Sequence, residues 1–178
     1  MPQIRRYQRG DWDAFLALDI DTGLQTLRYA SDAERAAFQE RWATVLRERF
    51  QWDEDRGPTV DQANLFVLTY ENGGEDGGDD GTYAGHLWLA ERPEVTTGFP
   101  RLWVITMAIV ARLRSRGFGR LLMEHAEEHA RARGLGTIEL AVDADNVVAR
   151  KLYEEMGFQT VRLRMVKSLG PRRVSLRP

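Results

Sequence analysis

The chain has no cysteine. That removes a disulfide framework, a thiolate-ligated zinc and a thiol nucleophile together, and it leaves the redox compartment unmarked. Nor does any apolar run approach the roughly 18 residues that a membrane span requires, so a soluble cytoplasmic protein is the expectation. Only three histidines and six prolines occur in 178 residues. The composition is otherwise that of a folding domain, with 43% apolar residues, 29% charged residues and five tryptophans. A chain of this length buries a core without staples, and one domain spanning 1–178 is expected.

Net charge is only -2, but it is unevenly spread. Residues 1–100 carry 10 basic and 19 acidic side chains, and residues 101–178 carry 15 and 8. A basic half suits a polyanionic ligand such as a phosphorylated cofactor or a nucleic acid.

The first half reads as a strand over 3–7, a helix capped by Asp11, and a second helix opened by the capping box Ser31-Asp-Ala-Glu34 and ending near Phe50. After a turn around Gly57-Pro58, Asn64–Tyr70 reads as a buried strand with Tyr83–Ala90 as its hairpin partner. The Gly- and Asp-rich run 71–82 lacks the ligand spacing of a calcium loop and is expected to be a mobile connection. The second half alternates: strand 102–110, helix 117–133, strand 137–142, helix 146–156, strand 158–167. Such alternation implies some parallel pairing within one sheet.

The most informative segment is Ile105–Leu122, an apolar strand that runs through an Arg- and Gly-rich turn into a helix. Gly117 and Gly119 let the chain turn tightly and let a phosphate approach the free amides of the helix start. The helix dipole contributes roughly half a positive charge there, and Arg114, Arg116 and Arg120 add full ones. A Walker A loop is excluded because no Gly-Lys-Ser/Thr closes the segment. The dinucleotide fingerprint fails because Leu122 stands where its third glycine belongs.

Arg114-x-x-Gly117-x-Gly119, between an apolar strand and Leu121-Leu122, resembles the acetyl-CoA signature of the GCN5-related N-acetyltransferases (GNAT). Downstream, Asn146-x-x-Ala149-x-x-Leu152-Tyr153-Glu-x-x-Gly157-Phe158 resembles the second signature of that family. The pair, in this order and spacing, is more specific than either alone. The resemblance implies an α/β (α+β) fold, a single GNAT-type domain with a mixed, mostly antiparallel sheet of six to seven strands flanked by about four helices. Its acetyl-CoA-binding core would span 105–158.

The same resemblance implies roles. Backbone groups of Met107 and Ile109, on a strand splayed from its neighbour, would pair with the pantetheine arm. The amides of Arg114, Ser115, Arg116, Gly117, Phe118, Gly119 and Arg120 would hold the pyrophosphate. Asn146 would contact the pantetheine or position the helix of Tyr153, and Tyr153 would face the thioester sulfur. The family's loop proline is replaced near Ala111, and Ser115 stands where glycine is usual; neither removes a needed donor. Acetyl-CoA as co-substrate, an amine acceptor and no metal follow.

Direct attack by an amine requires a proton acceptor, and no carboxylate lies between Leu102 and Ala111. Glu91, Asp143 and His86 are the candidates, in that order, beside a water relay. His125-Ala-Glu-Glu-His129 matches the letter pattern of inverted zinc peptidases, but no third ligand is evident and the helix is polar there. The alternative to an enzyme is a non-catalytic CoA- or nucleic-acid-binding domain using the basic half. The absence of a basic stripe interleaved with exposed aromatics argues against nucleic acid. Acidic stretches in 21–60 and 83–100 favour a cationic acceptor, such as a polyamine, an aminoglycoside or a protein amino group. The final strand and Arg172-Arg173 could join a homodimer.

Overall fold

The structure, a computed structural model, describes residues 1–27, 30–59, 63–70 and 81–167. Its elements run β1 (Pro2–Arg6), α1 (Trp12–Thr26), α2 (Asp32–Arg49), β2 (Trp52–Asp53), β3 (Gly57–Pro58), β4 (Asn64–Tyr70), β5 (Thr82–Pro93), β6 (Pro100–Ile109), α3 (Phe118–Ala132), β7 (Ile138–Leu140) and α4 (Val147–Glu155). Five strands form one sheet in the order β1-β4-β5-β6-β7, and β2 and β3 make a separate pair. Neighbouring strands of this sheet from β1 to β6 are antiparallel, and only the neighbours β6 and β7 run parallel. The mixed, mostly antiparallel sheet with four flanking α-helices is thus present.

Helix α2 begins as its sequence requires. The Ser31 side chain accepts from Glu34 N–H, and the Glu34 carboxylate accepts from Ser31 N–H at 2.7 Å. These bonds hold the Glu34 carboxyl below its usual range. Asp11 behaves differently from expectation. Its carboxylate accepts from Gln8 N–H and is gripped by Arg5 at 2.7 and 2.8 Å, so no side chain caps α1. A bidentate guanidinium outcompetes a lone amide for the same two oxygens.

Strand β4 is buried along six consecutive residues because both sheet faces are covered. On one face Leu87, Leu89, Leu102, Leu122 and Met123 pack the sheet against α3. On the other Phe15, Leu46, Val67 and Trp88 pack it against α1 and α2.

Among the described residues the main sheet has five strands, with β2 and β3 apart, against the six to seven expected of one sheet. Two further expectations fail. Strand 137–142 shrinks to three residues, and residues 158–167 form no strand among the described residues. The second follows from the first: β7 ends at Leu140, so no long edge is offered beside it. Val161, Leu163 and Met165 stay exposed. The pair β2 and β3, read only as a turn, brings Trp52 over Tyr7 and Phe15 at centroid distances of 5.2 Å each. Most of the loop 71–82 and the residues Arg172-Arg173 lie outside the described residues.

Candidate active site

The sheet opens where the glycine turn begins. Strand β6 pairs with β7 only through Leu102, Trp103 and Val104, while its other edge stays paired to β5 as far as Ile109. From Ile105 to Ile109 the outer backbone edge of β6 therefore has no strand beside it among the described residues. Ile105 is also the extra residue of a bulge, since Trp88 pairs with Thr106 and Leu89 with Val104. Bulges increase twist and redirect side chains, and here the irregularity falls at the point of divergence.

Past β6 the chain makes one 3-10 turn, Ala111–Leu113, and enters α3 through two left-handed residues, Ser115 (φ 61°) and Gly117 (φ 83°). Gly117 is the N-cap of α3, and Leu121 N–H is bonded to its carbonyl at 3.1 Å. The amides of Phe118, Gly119 and Arg120 precede that first helical bond and so have no partner in the preceding turn. Arg114, Ser115, Arg116 and Gly117 are exposed, whereas the Phe118 ring anchors the turn in the core beside Tyr70. The Arg114 guanidinium folds back on Ile109 O at 3.0 Å, and Arg120 bonds Glu155 of α4 at 2.8 Å. Backbone donors, a helix dipole and the Arg116 charge thus converge on one open surface.

Helix α4 closes against this turn. Asn146 Oδ1 accepts from Ala149 N–H at 3.2 Å, which makes Asn146 the cap of the helix that carries Tyr153. Tyr153 packs on Phe158 at 5.7 Å, within the cluster that includes Met107 and Ile109. Burial pushes its phenol pKa above the usual value, so the hydroxyl is protonated at neutral pH and available as a donor. The structure therefore brings Met107, Ile109, the 114–120 turn and Tyr153 together, while Asn146 is placed only as the cap of the helix that carries Tyr153.

Glu91 lies elsewhere. It pairs with Leu102 in the β5–β6 register and its carboxylate is held by Arg133, just past the end of α3. His125 and His129 face the Phe66 ring at 4.5 and 5.4 Å, and burial lowers both imidazole pKa values. No group of three or more metal-ligating side chains occurs among the described residues.

On the opposite sheet face, a cleft of about 240 Å³ lies between α1, α2 and the β5–β6 strands. Trp42, Trp88, Ile105 and Thr106 line it, and so does Asp19. Asp19 is 5% exposed and His86 fully buried. Asp19 Oδ2 accepts from Trp42 Nε1–H at 2.7 Å, while Oδ1 stands 3.5 Å from His86 Nε2. The Tyr83 hydroxyl meets His86 Nδ1 at 2.8 Å, and burial pushes its pKa far up. Asp19 is the residue sequence reading missed. Its signal was a carboxylate following Trp12, Phe15 and Leu16 on the apolar stripe of α1, a position where charge is rare unless partnered.

An open strand edge leads into a glycine-started helix, backed by a capped helix with a buried tyrosine, and this geometry has the shape and donors that an extended phosphorylated ligand requires. The family comparison agrees: residues 27–158 match the model of the Acetyltransferase (GNAT) family, and the chain belongs to that family. It is 32% identical over 105 residues to mycothiol acetyltransferase of Beutenbergia cavernae, covering 59% of this chain and 32% of that protein. The mycothiol acetyltransferase of Tsukamurella paurometabola is 33% identical over 149 residues, covering 76% and 48%. The chain thus spans a third to a half of the length of these curated relatives. A solved structure of a candidate acetyl transferase from Pyrococcus furiosus shares the fold with a TM-score of 0.74 and 22% identity, over 95% of this chain and 100% of that one. No helix among the described residues is long and apolar enough to cross a membrane.

Proposed function

We propose that the chain transfers an acetyl group from acetyl-CoA to a primary amine, by direct attack in a ternary complex in the cytoplasm, with residues 105–158 as its cofactor-binding core. The observation that carries this reading is the unpaired β6 edge from Ile105 to Ile109, which runs straight into the free amides of α3. The edge offers N–H and C=O groups to an amide-bearing arm, as an added strand would use them, and at Ile109 the arm would displace the exposed Arg114 side chain from the carbonyl. The helix start takes the pyrophosphate through the amides of Ser115 to Arg120; Arg114, expected to join them, already donates its N–H to Ala111 O at 3.2 Å.

The chemistry needs three things. An alkylamine with a reference pKa of about 10.4 is neutral to only about one part in a thousand at pH 7, so it must be deprotonated or desolvated on arrival. A backbone N–H of β6 can receive the developing oxyanion, provided it already points at it. The departing thiolate needs a hydrogen bond or a proton. A phenol near pKa 10 loses about 2 kcal/mol on full transfer to a thiol near 8.5, so Tyr153 acts chiefly as a hydrogen-bond donor. Holding both substrates in line supplies much of the remaining acceleration.

Calorimetric titration with acetyl-CoA tests the reading. Wild type should bind, and Arg116→Glu should weaken binding without altering the circular-dichroism spectrum. Gly117→Glu combined with Gly119→Glu, which puts carboxylates where the pyrophosphate goes, should abolish it. Tyr153→Phe should then bind acetyl-CoA normally but acetylate amines at least tenfold more slowly. A folded wild-type protein that shows no heat with acetyl-CoA would end the transferase reading. Tight binding without thioester turnover over a broad amine screen would favour the non-catalytic alternative.

A further inference from the structure

The cleft between α1, α2 and the β5–β6 strands has walls of Phe38, Trp42, Trp88 and Ile105, yet it contains a carboxylate. Burying a carboxylate in such surroundings is costly unless each oxygen is compensated. Asp19 Oδ2 is compensated by the Trp42 indole N–H. Oδ1 has only the His86 ring nitrogen, at 3.5 Å, beyond normal hydrogen-bond length, and His86 Nε2 itself has no hydrogen-bond partner. No Lys or Arg pairs with Asp19 among the described residues. The carboxylate is therefore held rigidly in a small apolar chamber with one oxygen under-satisfied, a need that a small cation answers.

We propose that this cleft is an ammonium site, that Asp19 is its anchor, and that the acceptor enters it as a primary amine on a short alkyl arm. The size decides the arm. At about 240 Å³ the cleft is below the roughly 300–1,000 Å³ of pockets that enclose drug-sized ligands. It takes one aminoalkyl chain, as at a polyamine end or a lysine side chain, and leaves the rest of the acceptor outside. A ring system the size of an aminoglycoside does not fit. The aromatic walls add to the selection, since Trp faces attract cations that have shed water. The cleft also reaches Thr106, on the β6 segment whose outer edge is open, so its occupant lies on the far face of the same strand. That the ammonium belongs to the acetyl acceptor rests on the transferase reading; its binding to Asp19 does not.

The test uses the whole protein, labelled with nitrogen-15, and the indole N–H resonance of Trp42 as reporter of the Asp19 carboxylate. n-Butylammonium should shift that resonance with a millimolar Kd, while n-butanol, of equal length and uncharged, should not. Asp19→Asn keeps an acceptor oxygen but removes the charge, and it should weaken n-butylammonium by about thirtyfold or more. Thr22→Lys, three residues along the same helix face, supplies a built-in ammonium and should block the probe in a folded protein even if Asp19→Asn fails to fold. Equal responses to the amine and the alcohol would overturn the proposal. So would an imidazolium spectrum for His86 in the free protein at neutral pH, because His86 would then be the missing cation. Acetyl-CoA binding measured on the same sample separates the two readings. Its loss with n-butylammonium binding intact sinks only the transferase, and the converse sinks only the ammonium site.

Discussion

A Cβ placed on Gly119 would stand 3.1 Å from Leu152 Cδ2, so the first turn of α3 and the middle of α4 touch where the two signature segments meet. The contact is tighter than ordinary packing, but its partner is the end of a flexible side chain. Gly119→Ala gains up to about 1 kcal/mol of helix propensity and spends it on moving Leu152, so stability should change little. Gly119→Val gains less and adds two more methyl carbons to the same space, so it should destabilise by about 1–3 kcal/mol in urea unfolding. Adding Leu152→Ala to Gly119→Val should recover part of that loss, a non-additivity expected only of residues that share one space.

The two left-handed residues of the turn predict opposite outcomes. Ser115 sits at φ 61° with a side chain, which costs about 1–2 kcal/mol in that region. Ser115→Gly relieves this, against about 0.5–1 kcal/mol of extra unfolded-state freedom, and should leave stability equal or higher by up to about 1 kcal/mol. Gly117 at φ 83° has nothing within 4 Å of its missing Cβ, so Gly117→Ala suffers from backbone strain alone. It should lose about 1–2 kcal/mol. If the turn holds the pyrophosphate through its amides, Ser115→Gly leaves acetyl-CoA affinity unchanged, which calorimetry reads directly.

What the residues disclosed depended on how local each signal was. Ser31 and Glu34 specify their helix start within four residues, and the structure follows them. The turn from Arg114 to Arg120 is equally local, and the helix expected from Gly117 begins one residue later, with Gly117 as its cap. The strand expected over 158–167 needed an edge supplied by another strand, and Val161, Leu163 and Met165 carry the right alternation without one. Likewise, Asp19, Trp42 and His86 are far apart in the chain, and only the packing of α1 and α2 on β5 makes them one polar cluster. His86 was legible as a proton-accepting residue type, but its partner was not.

Glu91 offers a sharp test of role. Its carboxylate is mostly buried and paired with Arg133, itself 39% exposed, so the pair is worth about 1 kcal/mol after solvent screening. Glu91→Gln should lower the urea midpoint modestly and leave the pH dependence of turnover in place. A fall of a hundredfold or more in kcat, with the acidic limb of the profile lost, would instead make Glu91 the base.

His125 and His129 set the stability of the sheet's α3 face in acid. Both pack on Phe66, and burial lowers both pKa values, assisted at His129 by the nearby Arg133 charge. When the folded pKa is depressed below the unfolded value, the unfolded chain binds protons first as pH falls. The associated stability is fully present above about pH 6.5, the unfolded imidazole value, and is lost as pH drops from there through the folded pKa. Thermal unfolding should therefore show Tm declining below that pH, before the carboxylates titrate. Replacing both histidines by Gln, which keeps polarity but does not titrate, should flatten that part of the curve while leaving Tm at pH 8 less affected. An unchanged slope in the double variant would move the acid sensitivity to other groups and leave these imidazoles as packing alone.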